Sequence, residues 1–119
     1  MLSNNEIAVF CEQSGMILES GLSMLEGISI MEADVEPQNT EYKRIYADIR
    51  TCLEETGIFY EALQRAGVFP DYVIQMAKLG EETGNLDVTM KGLAAYYERE
   101  ENTMQDIRSA ISYPLMILC

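Results

Sequence analysis

Thr40-Glu41-Tyr42-Lys43-Arg44-Ile45-Tyr46-Ala47-Asp48-Ile49-Arg50-Thr51-Cys52-Leu53-Glu54-Glu55-Thr56-Gly57 decides the fold class. Tyr42, Ile45, Tyr46, Ile49, Cys52 and Leu53 recur at intervals of three and four, while Lys43, Arg44, Asp48 and Glu54 fall outside that stripe. A period near 3.6 is that of an amphipathic helix with one buried face. Asn39 or Thr40 opens it, and Gly57 stops it because glycine accepts the left-handed conformation past a helix end.

The same period extends in both directions. Upstream, a first helix starts after Ser3, Asn4 or Asn5, all good N-caps, and carries Ile7, Phe10, Cys11, Ile17 and Leu18 inward, with Gly21 as its stop. Ser23 caps a second, with Leu25, Ile28 and Met31 inward, and Glu32 to Asn39 around Pro37 reads as a loop. Downstream, Phe59 to Ala66 forms a short fourth helix with a Glu61–Arg65 pair at i,i+4, ending at Gly67. Val68-Phe69 links it to a fifth helix opened by Pro70 and Asp71, with Tyr72, Val73, Met76 and Leu79 inward and Gly80 at its end. The last helix starts near Asn85 and carries Leu86, Met90, Leu93, Tyr97, Met104, Ile107 and Ile111, with Pro114 breaking or kinking it. No alternating strand pattern competes. The reading is all-α: a six-helix antiparallel bundle with short connections.

Composition narrows function. Twenty acidic against eight basic side chains give a net charge of −12. That surface repels nucleic acid and an anionic membrane face, and attracts basic partners or divalent cations. The absence of histidine excludes Ser-His-Asp and Cys-His catalysis and the commonest metal ligand. Cys11, Cys52 and Cys119 are odd in number and widely spaced, so they predict neither a disulfide framework nor a zinc site. A reducing cytoplasm fits them. The polar start, Met1-Leu2-Ser3-Asn4-Asn5-Glu6, lacks the basic region of a signal peptide.

Two stretches stand apart. Gly80-Glu81-Glu82-Thr83-Gly84-Asn85-Leu86 reads as a tight helix–helix connection: Gly80 at a helix end, Gly84 in a crowded turn, and Thr83 or Asn85 capping the next helix. It is no phosphate loop, since no G-x-x-x-x-G-K-[ST] is present. Glu81 and Glu82 as an acid–base pair would need to face one cleft, whereas neighbours at a helix terminus diverge. Glu32, Asp34 and Glu36 alternate as in some calcium loops but lack the glycine and distal glutamate of an EF-hand. Glu98, Glu100 and Glu101 form a second acidic group on the last helix. No catalytic site, cofactor site or metal site is predicted.

The other stretch is Ile111-Ser112-Tyr113-Pro114-Leu115-Met116-Ile117-Leu118-Cys119, uncharged and apolar but far shorter than the roughly twenty residues of a membrane span. Taken alone it fits the start of a membrane helix and a buried core segment equally.

Phe69-Pro70 opening a helix, the Gly80–Leu86 string, Tyr96-Tyr97 and Tyr113-Pro114 occur in the order and spacing of a pattern, and their sum resembles the F-protein family of type II secretion and its type IV pilus counterparts. Ser20-Gly21-Leu22-Ser23-Met24-Leu25-Glu26-Gly27-Ile28 is similar to a further element of that family, with Gly27 where alanine is usual and Met24 where leucine is usual. The resemblance implies a cytoplasmic six-helix domain over residues 1–110, without catalysis and commonly dimerising, with 111–119 as the truncated start of a transmembrane helix. It implies a bacterial inner-membrane platform protein holding two copies of the domain, the lead from Met1 pointing to the first. Implied partners are an assembly ATPase, other inner-membrane secretion or pilus components and further copies of the chain, with no nucleic acid. The resemblance places Tyr113 and Pro114 at the membrane entry; the residues themselves give Gly80, Glu81, Glu82, Thr83, Gly84, Asn85 and Leu86 as the structural turn and, on charge alone, Glu98, Glu100 and Glu101 as an acidic partner surface. The rival reading is a soluble helical regulator that binds a peptide or small molecule in a groove lined by its eight methionines.

Overall fold

The computed structural model describes residues 2–100, and within them the chain forms an all-α bundle of six helices. They are α1 (Asn4–Glu19), α2 (Met24–Asp34), α3 (Thr40–Thr56), α4 (Phe59–Ala66), α5 (Asp71–Thr83) and α6, helical from residue 86 to residue 100. Successive helices from α1 to α5 pack on one another.

Local chemistry sets the boundaries. Ser3 accepts from the Glu6 N–H while Glu6 accepts from the Ser3 N–H, a capping box that starts α1. Ser23 and Asn39 cap α2 and α3 through the N–H groups of Glu26 and Tyr42. Gly57, Gly67 and Gly84 end α3, α4 and α5 at φ of 70°, 74° and 74°. At Gly57 an added Cβ would meet nothing within 4 Å. Gly57→Ala therefore isolates the backbone term, and we expect a loss of about 1 kcal/mol in a denaturant melt.

The core is centred on Phe10 of α1, whose ring lies 6.2 Å from Tyr46 of α3, 6.3 Å from Phe59 of α4 and 4.8 Å from Phe69 after α4. Such offset aromatic contacts add to the area buried. Ile7, Ile28, Ile45, Ile49, Leu63 and Val73 complete it, with Met90 and Leu93 contributed by α6. Cys11 and Cys52 are fully buried, and burial pushes the Cys11 thiol up to about 12. Met24, Met31 and Met90 are core residues and Met76 packs against them, so among the described methionines only Met16 is well exposed.

The structure corrects the following expectations. Helix α5 does not stop at Gly80 but runs on to Thr83. Its buried face is Val73, Ala77 and Gly80, leaving Tyr72 and Leu79 about half exposed. Arg65 pairs not with Glu61 but with Glu55 of α3, at 3.0 Å, because the tight Gly57 turn brings the end of α3 within reach. Glu32 and Asp34 lie on α2 rather than in a loop, and Glu32 holds Arg50 of α3 at 2.6 Å. Val68 and Phe69 do form the link between α4 and α5, and both are also core residues, the Val68 carbonyl accepting from the Leu2 N–H at 3.1 Å.

Candidate functional site

The Gly80–Leu86 string comprises the last turn of α5, the link and the first residue of α6. The roles of its two glycines are the reverse of those expected. Gly84 takes the left-handed conformation, and the N–H groups of Gly84 and Asn85 both return to the Gly80 carbonyl. Gly80 sits inside the helix where α6 crosses it. A Cβ there would lie 2.7 Å from the Thr89 Oγ1, 2.9 Å from the Thr89 Cβ and 3.2 Å from the Leu86 Cα. Only glycine permits that approach without displacement.

Glu81 reaches away from α6 to the start of α4. Its carboxylate accepts from the Phe59 N–H and the Tyr60 N–H, both at 2.7 Å. Ile58, the residue that precedes α4 at the capping position, offers no side-chain cap. A carboxylate 21 and 22 residues downstream thus supplies the cap, and its charge suits the positive end of the helix. Glu82, next along, is exposed. The Glu81 carboxylate is committed to two backbone donors, and the residue also borders a shallow concavity with Leu18, Gly84, Leu86 and Asp87, which Glu82 does not line. Thr83 donates to the Leu79 carbonyl at 2.8 Å, and its Oγ1 lies 2.5 Å from the Asn85 side-chain amide, closing the turn. Leu86 packs against the core.

The result is a clamp. One string of residues fixes the end of α5 against α6 through Gly80 and the start of α4 against α5 through Glu81. On the opposite side, α6 is held to α1 where Gly15 faces the Lys91 backbone and Lys91 pairs with Glu19. Neither the distant cap nor the Gly15 crossing was read from the sequence. The available signal for the cap was Ile58, an apolar residue where a helix start normally has an oxygen.

Other predicted positions divide. Glu98 and Glu100 are exposed on α6, and Glu98 lines a concavity with Val9, Glu12 and Gln13 of α1. Glu101, Tyr113 and Pro114 lie outside the described residues, as does the expected boundary at 110/111. Tyr97 is buried, which raises its hydroxyl above the usual range, while Tyr96 forms a surface pair with Tyr72 at 5.3 Å. Among the described residues no helix is long and apolar enough to cross a membrane.

The chain is similar to proteins of bacterial export machinery. The profile of type II secretion system (T2SS), protein F, matches residues 10–119. Type IV pilus assembly protein PilC of Thermus thermophilus is 31% identical over 94% of this chain, and PilC of Myxococcus xanthus is 27% identical over 98%. Type II secretion system protein F of Xanthomonas campestris is 28% identical over 97%. This chain spans only 27–28% of the length of those relatives. With nearly its whole length inside one family profile, the chain belongs to the type II secretion system protein F family.

Proposed function

We propose that this chain is the cytoplasmic domain of an inner-membrane platform protein that couples an assembly ATPase to polymerisation of pilin or pseudopilin subunits. It acts as a scaffold and adaptor, without catalysis, and as a homodimer or higher homo-oligomer. The observation that carries the reading is the clamp, considered with the family. Gly80 and Glu81 tie α4, α5 and α6 into one unit, and α6 is the helix whose sequence continues toward Tyr113-Pro114 and the apolar run. A force applied to such a unit moves the helix as a whole instead of being lost in a soft turn. Residues 1–110 then form the cytoplasmic domain, and 111–119 begin a membrane helix.

Glu98 and Glu100, exposed on α6, together with Glu101 next in sequence, would offer a basic partner an acidic face. Charge of this kind governs the rate and choice of docking more than its final strength. Reversal of all three to lysine in the full-length protein is expected to slow association of the assembly ATPase by about tenfold at low salt and to reduce pilus or pseudopilus assembly. Unchanged association and assembly would exclude that face.

A further inference from the structure

Residues 1–42 contain eight carboxylates and not one lysine or arginine; all eight basic residues of the chain lie from Lys43 onward. This stretch builds α1, α2 and the start of α3, and its carboxylates meet cations only from later in the chain, at Glu32 with Arg50 and Glu19 with Lys91 among the described residues, which leaves the α1–α2 face acidic. The same face carries exposed apolar side chains: Val9 at 48%, Met16 at 56% and Ile30 at 50%. Between α1 and α2 lies a concavity of about 210 Å³ lined by Gln13, Met16, Ile17, Ile30, Met31 and Asp34. A neighbouring one, of about 360 Å³, shares Gln13, Met31 and Asp34 and extends to Glu36.

We propose that this α1–α2 groove docks a cationic amphipathic helix of a partner protein. Val9, Gln13 and Met16 follow one another at four and three residues along α1, a ridge onto which the apolar stripe of another helix fits. Met16 and Ile30 flank the floor, and Met side chains adapt their shape to whatever packs on them. Asp34 lines the groove, Glu36 the adjoining concavity and Glu12 the one beside Val9 and Gln13; none is in an ion pair among the described residues, and lysines or arginines flanking such a stripe would reach them. Charge selects this occupant over two others. A second copy meeting the groove with its own α1–α2 face would set carboxylates against carboxylates, and an anionic lipid surface would be repelled. The inference goes beyond the adaptor reading, since a helix can dock here whichever machine supplies it.

The test is a fluorescence-anisotropy titration with a synthetic Leu/Lys peptide patterned as an amphipathic helix, beside a scrambled peptide of the same composition. At about 0.15 M salt, where loose charge attraction is largely screened, the patterned peptide should bind about tenfold more tightly than the scrambled one. Met16→Ser and Ile30→Ser together should remove that advantage. Leu79→Ser and Val88→Ser, at exposed apolar positions on α5 and α6, should leave it intact. In the unaltered chain the Met16 and Ile30 methyl resonances should shift first on adding peptide, a readout that needs no variant to fold. Equal binding of both peptides, or equal weakening by the α5–α6 changes, would overturn the proposal. So would a self-association seen by sedimentation and abolished by Met16→Ser and Ile30→Ser, which would make the groove an interface between copies. No secretion component enters the titration, so its failure and that of the adaptor reading are separate results.

Discussion

Gly80→Val is expected to destabilise the bundle by about 3 kcal/mol, measured by chemical denaturation. The added atoms would start 2.7 Å from the Thr89 Oγ1 and 3.2 Å from the Leu86 Cα, so both a side chain and a backbone must give way. A helix-interior glycine normally gains from replacement, by up to about 1 kcal/mol for alanine. Here the crowding outweighs that gain. Gly80→Ala should lose less, about 1 kcal/mol, because the Thr89 hydroxyl can rotate away while its Cβ and the backbone cannot. Stabilisation by Gly80→Ala would mean that α5 and α6 are not in the close contact described.

Glu81→Ala is expected to cost about 2–3 kcal/mol, the loss of a charged acceptor from two amide donors at the start of α4. Phe59, one of the donors, is a fully buried core residue, so its N–H has little access to replacement water. Glu81→Gln keeps one acceptor oxygen and should lose roughly half as much. The mechanism allows a rescue. Ile58 holds an extended conformation, φ −109° and ψ 113°, suited to an N-cap residue. Ile58→Asp in the Glu81→Ala background gives α4 a local cap and should recover about 1 kcal/mol. Absence of any rescue would show that Glu81 acts otherwise than as a cap. Because α4 joins the core through Phe59 and Leu63, uncapping it should also loosen α5, which packs on it.

These two residues mark where the sequence was legible and where it was not. Helix α3 could be read from its stripe alone: Tyr42 to Leu53 keep one period, and the buried residues Ile45, Tyr46, Ile49, Cys52 and Leu53 are among those it named. Capping serines, local in sequence, were equally visible at Ser3 and Ser23. In α5 the pattern misled. Ala77 and Gly80, small residues with little hydrophobic signal, turn inward because close helix crossing requires small side chains, while Tyr72 turns outward to Tyr96. Glu81 could be placed in a turn but not assigned a partner, since a hydrogen bond spanning 22 residues has no local signature. Gly27 gives a further case. A Cβ there would meet the Ile17 Cγ2 at 2.5 Å, so the alanine usual at this place requires a different fit across α1 and α2.

The adaptor reading is tested most directly by accessibility mapping in the full-length protein. Cys11 and Cys52 are buried and silent toward maleimides, so Cys119→Ser, with serine also at any cysteine outside residues 1–119, followed by Glu82→Cys leaves one exposed reporter thiol. The account predicts that the protein fractionates with the inner membrane. It also predicts that a membrane-impermeant maleimide labels the reporter in inverted inner-membrane vesicles but not in intact spheroplasts. Recovery in the soluble fraction, or labelling from the outer face of spheroplasts, would contradict it.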